Sequence, residues 1–193
     1  MDNSEKGNHM MRDVITRSEL DAALPFVLDA PKMETKVALL CLRPVRNQRE
    51  FPAELRFTVK DGVVGDYGMT SPWLTLPDGT ADPRIHVSIL PQRVLDLVWY
   101  DPANVTFPGD TIVADFNVTL ENLPVGTRLQ VEDAELEVTN LWNEGCAKWK
   151  VRFGREAYGW TSAPEHEALR LRGIYCQIVK NGTVRIGDTL RRL

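Results

Sequence analysis

The sequence is poor in cysteine and histidine, and the few that it has are far apart. Its 193 residues include three cysteines, at positions 41, 146 and 176. Without a close cysteine pair, neither a disulfide framework nor a four-cysteine zinc site is indicated. The three histidines, at positions 9, 86 and 166, lack the spacing of metal ligands, so we expect no histidine-based metal site. Any thiol chemistry must therefore depend on a single cysteine.

Long apolar runs and a strong excess of one charge are also missing. No run approaches the about 20 apolar residues of a membrane-spanning helix, and the N-terminus does not show a signal-peptide pattern. The net charge is −4, with acidic and basic residues interspersed, which gives no long-range field for nucleic acids or acidic membranes. We therefore expect a cytoplasmic protein that binds neither nucleic acid nor membrane.

A change of hydrophobic pattern near residue 35 divides the chain. Residues 1–35 are expected to form a partly disordered tail and one short helix, which Ser18 would cap and which would stop before Pro25. Residues 36–193 contain many short apolar stretches between turns, few helical patterns and no glycine-rich phosphate loop. This pattern predicts one mainly β domain, a closed barrel or a sandwich.

Two glycine-containing turns give the clearest β signals. Asp61-Gly62 predicts a hairpin between two apolar stretches, and Asn181-Gly182 predicts a C-terminal hairpin over residues 174–186 that pairs into the barrel. Between these turns, residues 71–83 contain three prolines and form a long irregular segment. Such segments on rigid scaffolds often shape binding sites, so we expect this one to border a site.

Cys146 is the candidate reactive residue. Cys41 and Cys176 lie in alternating apolar stretches, which is typical of small core residues. Cys146 instead precedes a basic cluster, and cations favour the thiolate, the form that acts as nucleophile or metal ligand. The alternative is an unreactive, half-buried loop cysteine, because one basic cluster is a weak signal. The cluster consists of Lys148, Lys150 and Arg152.

Several short motifs around this cysteine occur in a recognisable order. They are Gly62-Val63-Val64-Gly65-Asp66, Asp115-Phe116-Asn117-Val118-Thr119, Gly126-Thr127-Arg128-Leu129, Glu135-Leu136-Glu137-Val138-Thr139, Cys146, and Gly182-Thr183-Val184-Arg185-Ile186-Gly187-Asp188. Their order resembles the MOSC domain family, named after the C-terminal domain of molybdenum cofactor sulfurases. The resemblance extends over residues 36–190, and the surroundings of Cys146 look most like the small stand-alone bacterial members.

The resemblance implies a closed β-barrel with a few short helices and a cleft for the molybdenum cofactor, a pterin with a dithiolene-held metal. In that family the cysteine is proposed to carry sulfur as a persulfide or to ligate molybdenum, a role that Cys146 would take here. The chain departs from the family pattern at Gly68, where a histidine is common, and at Asp115-Phe116. The residues expected to contact the cofactor are Asn117, Thr119, Lys148, Arg84 and Arg172.

Two functions remain open on this basis. The first is a molybdenum-cofactor protein that uses Cys146 to carry sulfur or cofactor, or to reduce N-hydroxylated compounds. A sulfur donor or an electron-transfer protein would then be its partner, since 193 residues leave no room for the pyridoxal-phosphate domain of full sulfurases. The second is a non-catalytic barrel that binds a metabolite or a protein partner, in which Cys146 is incidental.

Overall fold

The computed structural model describes residues 15–193, so the start of the predicted partly disordered tail lies outside the described part. No helix within this part has the length and apolarity needed to cross a membrane.

The α-helices are α1 (Arg17–Leu28), α2 (Tyr67–Thr70), α3 (Gln92–Val98) and α4 (Ala147–Thr161), with 3-10 helices at Pro83–Ile85 and Pro164–Leu169. The strands are β1 (Glu34–Leu40), β2 (Glu54–Thr58), β3 (Gly62–Val63), β4 (Val87–Pro91), β5 (Ile112–Ala114), β6 (Arg128–Val131), β7 (Ala134–Trp142), β8 (Ile174–Lys180), β9 (Gly182–Arg185) and β10 (Thr189–Arg192).

Seven strands close into a barrel in the order β1-β10-β6-β7-β8-β4-β5. All neighbours in it are antiparallel except β4 and β5, which are parallel. The other three strands form a separate sheet in the order β3-β2-β9. The prediction of a mainly β, closed barrel with a few short helices is confirmed. The hairpin predicted at Asp61-Gly62 is the antiparallel β2–β3 pair.

Alternate residues of the barrel strands fill its interior. In β8, Ile174, Cys176 and Ile178 are each at most 2% exposed, and Cys176 lies opposite Val138 of β7. Each large aliphatic side chain buried in this way contributes about 1.5–3 kcal/mol to folding. Cys176 is therefore a core residue, as its alternating surroundings predicted.

A second core lies between the barrel and helices α1, α3 and α4. The apolar face of α4 consists of Trp149, Phe153, Ala157 and Trp160, each at most 1% exposed and spaced by three or four residues. Cys41 is buried in the same cluster. Helix α4 was not predicted from the sequence, because Gly154 interrupts its pattern. This residue has φ 88° and kinks the helix.

The helix before the barrel is longer than predicted. Its capping box begins at Thr16, whose hydroxyl accepts from the Glu19 amide at 3.3 Å while the Glu19 carboxylate accepts from the Thr16 amide at 2.8 Å. Pro25 lies inside the helix instead of ending it. Leu20 and Val27 are buried in the second core, and this packing offsets the cost of an internal proline.

The predicted C-terminal hairpin is wrong in its second arm. β8 enters the barrel, but β9 pairs with β2, where Val184 lies opposite Leu55. At the junction, the Asn181 side chain accepts a hydrogen bond from the Val59 amide at 2.8 Å. Gly182 passes so close to the Ala134 backbone that a Cβ would overlap it. The Asn-Gly pair therefore carries the chain from one sheet to the other.

Gly173, just before β8, lies where no side chain fits. Its φ is +95°, and a Cβ there would overlap the carbonyl oxygen of Ile89. We expect Gly173→Ala to lower the free energy of unfolding by about 2–4 kcal/mol, because both the strain and the overlap must be relieved. Gly79 is the matched control, since its φ is +84° but no atom lies within 4 Å of the added Cβ. Gly79→Ala should cost about 1–2 kcal/mol. If both variants lose the same free energy of unfolding in denaturant titrations, the close contact between Gly173 and Ile89 is contradicted.

Candidate functional site

A groove of about 740 Å³ opens beside the barrel. Its walls come from the connecting segments 43–49, 67–73 and 108–110 and from the start of α4, and Tyr175 contributes from β8. The groove is of the size that binds cofactors and similar small molecules. Residues 71–83 border it through Ser71 and Trp73, as the irregular composition of this segment predicted.

The charged side chains that line the groove are predominantly cationic. Six basic and two acidic residues face it, although the chain as a whole has a net charge of −4. Charges that are interspersed along the sequence therefore separate in space, and we expect the groove to attract anions. The basic residues are Arg43, Arg46, Arg49, Lys148, Arg152 and Arg172, and the acidic ones are Asp110 and Glu144.

Cys146 lies exposed in this groove, at the residue that precedes α4. Two hydrogen bonds fix the loop before it. The Gly145 amide donates to the Ser162 hydroxyl at 3.1 Å, and the Asn143 side-chain amide donates to the Arg172 carbonyl at 3.1 Å. Ser162, which follows the last residue of α4, therefore holds the cysteine loop in place.

The other two thiols are shielded from solvent. Burial raises the pKa of Cys41 to about 12, and it also raises the pKa of Cys176. Both residues are at most 1% exposed. Neither thiol is therefore available to a reagent in the folded chain.

We expect Cys146 to be alkylated first by iodoacetamide near neutral pH, well before Cys41 or Cys176. The reason is that reaction requires both access and thiolate, and burial denies both to the other two. Peptide mass mapping after short exposures measures the order of labelling. A Cys146→Ser variant should show no fast-labelled site, and earlier labelling of Cys41 or Cys176 would contradict the assignment.

A buried ion pair lies in the groove close to the cysteine loop. Arg172 Nη1 donates to Asp110 Oδ1 at 2.8 Å, and the Arg172 guanidinium stacks on Trp149, 4.3 Å from the ring centroid. The side chains of Asp110 and Arg172 are 2% and 11% exposed. Asp110 Oδ2 and Arg172 Nε are buried without a hydrogen-bond partner in residues 15–193. Since buried polar atoms are nearly always paired, both are available to a ligand in the groove.

A second pair of cations converges next to this ion pair. Arg49 Nη2 and Arg152 Nη1 both donate to the carbonyl oxygen of Pro108, each at 3.2 Å. Arg49 Nε is buried and lacks a partner among the described residues. Burial lowers the pKa of Arg49 and of Arg152, and the charge of Arg49 lowers that of Arg152 further. Arg49 was not predicted as a site residue, although the three arginines within residues 43–49 were a signal.

Arg43 is held in the groove by Asp66. The Asp66 carboxylate accepts from Arg43 Nε at 3.0 Å and from Arg43 Nη2 at 2.7 Å, and it accepts from the Gly68 amide at 2.7 Å. A Cβ on Gly68 would lie 2.7 Å from Arg43 Nη2. The glycine that departs from the family pattern therefore leaves the space that the arginine fills.

Comparison with known proteins agrees with this arrangement. The family model described as "MOSC domain" matches residues 103–191, a segment that includes Cys146, Asp110 and Arg172. Over these residues the chain is similar to MOSC domains. The MOSC family is associated with the molybdenum cofactor.

Solved structures share the fold of this chain. The YUAD protein from Bacillus subtilis is 19% identical, with a TM-score of 0.55, over 83% of this chain and 96% of that one. YiiM from Escherichia coli is 15% identical, with a TM-score of 0.50, over 82% of this chain and 69% of that one. At these identities the likeness shows the fold alone. No curated protein matches the chain.

Two of the cations expected to contact a cofactor lie in the groove. Lys148 lines it and donates to the Asn47 side chain at 3.1 Å. Arg172 lines it beside Asp110. Together with Cys146, these are the predicted site residues that the structure brings together.

Arg84 is not among the groove residues. Its guanidinium pairs with Asp82, with Nη2 2.7 Å from Oδ2, and its Nη1 donates to the Asn140 side chain at 3.3 Å. Arg84 therefore lies outside this groove, and its contact with the cofactor stays a prediction.

Asn117 and Thr119 are likewise absent from the groove lining. The Asn117 amide donates to the Leu28 carbonyl at 2.7 Å, and its side-chain oxygen accepts from the Thr119 hydroxyl at 2.7 Å. Asn122 donates to the Asn117 carbonyl at 2.7 Å. The expectation that these side chains lie beside Cys146 is corrected, since they tie the segment after β5 to the end of α1.

Asp115, the other departure from the family pattern, does not introduce an acidic group into the groove. Its carboxylate pairs with Arg93 of α3, with Arg93 Nε 2.7 Å from Oδ1. Neither residue lines the groove. Asp115 therefore does not place a negative charge near an anion bound in the groove.

Aromatic rings line the opposite part of the groove. Trp73 is 64% exposed and lies 5.8 Å from the ring of Tyr175. Burial raises the pKa of Tyr175 to about 12, so its hydroxyl stays protonated. Trp142 lines both this groove and a second one of about 410 Å³, which also contains Glu165 and Glu167.

Proposed function

We propose that the cationic groove binds the molybdenum cofactor with the Cys146 thiol at the metal. The observation that carries this proposal is the placement of an exposed cysteine and a cluster of cations with unpartnered buried atoms in one groove of cofactor size. The association of the MOSC family with this cofactor supports it.

The donor set fits such a group. Within residues 15–193, no three His, Cys, Asp or Glu side chains are arranged to hold a metal ion by themselves. A metal at Cys146 must therefore bring most of its ligands with it, as a dithiolene-held metal does. A thiolate is a soft ligand and suits a metal that already has sulfur ligands.

The chain's own residues have separate tasks in this proposal. Cys146 provides the sulfur, and the bonds of Gly145 and Asn143 hold its loop in place. Lys148 and Arg172 attract the anionic part of the cofactor. When bound, the cofactor would supply the two-electron chemistry that the side chains themselves lack.

Two uses of this site follow, and both would operate in the cytoplasm. In one, Cys146 carries sulfur or cofactor and takes sulfur from a donor protein. In the other, the loaded protein reduces N-hydroxylated compounds with electrons from a partner protein. Cyanide-releasable sulfur on Cys146 would support carriage, whereas turnover of an N-hydroxylated substrate with a chemical reductant would support reduction.

Lys148 and Lys150 provide a matched test of the cofactor position. Both side chains are exposed on α4, but only Lys148 lines the groove. For protein made in a host that synthesises the cofactor, we expect Lys148→Ala to retain about two- to fivefold less molybdenum and pterin than Lys150→Ala. Equal retention by the two variants would remove Lys148 from the site.

A further inference from the structure

We propose that Arg49 and Arg152 form an oxyanion subsite beside Cys146, and that the small-molecule partner of Cys146 carries an acidic group. The subsite fits a carboxylate, a phosphate or a sulfonate. The proposal deepens the function proposed above and rests on it only in taking Cys146 as the reactive group.

The geometry of the two arginines carries the proposal. One carbonyl oxygen, that of Pro108, accepts from both guanidinium groups at 3.2 Å, which holds two like charges together. A single neutral oxygen does not compensate two positive charges. An oxyanion between them would accept charge-assisted hydrogen bonds from both.

Arg49 and Arg152 lack the close carboxylate that two other arginines of the groove have. Arg43 has Asp66, and Arg172 has Asp110, at 2.7 and 2.8 Å. No carboxylate of residues 15–193 lies within ion-pair distance of Arg49 or Arg152. Arg49 Nε is also a buried donor without an acceptor in this part of the chain. A buried donor without an acceptor is uncommon away from binding sites, because nearly all buried polar groups are paired.

The subsite lies next to the thiol. Arg49, Arg152 and Cys146 line the same groove. Arg152 is on α4, the helix that begins directly after Cys146. A ligand whose acidic group binds the arginines therefore places its remaining atoms near the sulfur.

Two disulfide reagents test this selectivity in protein purified from a host that lacks the cofactor. One is 5,5′-dithiobis(2-nitrobenzoate), which carries two carboxylates, and the other is the uncharged 2,2′-dithiodipyridine. With either reagent, the Cys146 thiolate attacks the disulfide, a new sulfur–sulfur bond forms, the old one breaks, and one aromatic thiolate leaves. The released chromophore gives the rate constant directly.

We expect Arg49→Ala and Arg152→Ala each to slow the reaction with the anionic reagent about tenfold and to change the neutral reaction less than twofold. Inorganic phosphate should inhibit the anionic reaction of the wild type and have little effect on the variants. Arg46→Ala is the matched control, because Arg46 lies exposed on the same segment and lines the groove. It should slow the anionic reaction less than twofold. Equal effects of Arg46→Ala and Arg49→Ala, or equal slowing of both reagents, would overturn the proposal.

Calorimetric titration with inorganic phosphate identifies the source of the acidic group. If cofactor-loaded protein still binds phosphate, and Arg152→Ala weakens that binding, the subsite serves the small-molecule partner. If loading abolishes phosphate binding, the cofactor's own anion fills the subsite and the assignment to the partner is overturned. A protein that prefers the anionic reagent but never acquires molybdenum would support the subsite and contradict the proposed function. Failure of the proposed function can therefore be told apart from failure of the subsite.

Discussion

Replacing Cys146 by Ser should abolish retention of molybdenum and pterin while leaving thermal unfolding almost unchanged. The exposed thiol makes little packing contact, and its side chain forms no capping hydrogen bond at the start of α4. Serine is a better N-cap residue than cysteine, so the variant should be at least as stable as the wild type. The loss of the cofactor would follow because no other exposed thiol is available among the three.

Metal analysis, pterin fluorescence and calorimetry on the same preparations measure both effects. Cys176→Ser is the contrasting variant, because it places a hydroxyl in the barrel core and should cost about 1–3 kcal/mol. A Cys146→Ser protein that is clearly destabilised yet binds the cofactor normally would return Cys146 to a structural role. That result would favour the non-catalytic barrel.

Asp110→Ala is expected to have the largest effect on stability among the groove substitutions. It removes the partner of Arg172, whose side chain is only 11% exposed, and leaves a poorly solvated charge. Removing one member of a buried ion pair costs about 3–5 kcal/mol, and we expect the lower end because Arg172 borders the open groove. Asp110→Asn keeps an acceptor oxygen, so it should lower the free energy of unfolding less than Asp110→Ala.

The exposed pair of Arg185 and Glu54 provides the control for this experiment. Its atoms lie 2.9 Å apart, but both side chains are more than half exposed. Glu54→Ala should therefore change the free energy of unfolding by less than about 1 kcal/mol. Denaturant titrations of the three variants measure the difference, and an Asp110→Ala loss as small as that of Glu54→Ala would contradict a structural role for the buried pair.

The strands could be predicted from the sequence because their signals are local. Alternation around Cys176 and the Asp61-Gly62 turn both gave the correct local structure. The path after Asn181-Gly182 could not be predicted in the same way. Whether β9 pairs with β8 or with β2 depends on contacts with distant segments, such as that between Gly182 and Ala134.

Only the part of the candidate site that depends on local sequence could be predicted. Cys146 and Lys148 are close in sequence, so their shared position follows from local spacing. Arg49 meets Arg152 only because both approach Pro108 in the fold. Asn117 was predicted at the site but lies outside the groove, because a short polar residue after a strand suits a binding cleft and a structural turn equally well. Here it bonds to the end of α1.

The most direct test of the central claim is the molybdenum and pterin content of the wild-type chain purified from a host that synthesises the cofactor. Protein from a host that cannot make the pterin is the control. We expect molybdenum and pterin to co-purify in equal amounts with the wild-type chain, and both to be absent from the control and from Cys146→Ser. Wild-type protein that contains neither, although the host's own cofactor-dependent enzymes are loaded, would contradict the claim that this groove holds the molybdenum cofactor.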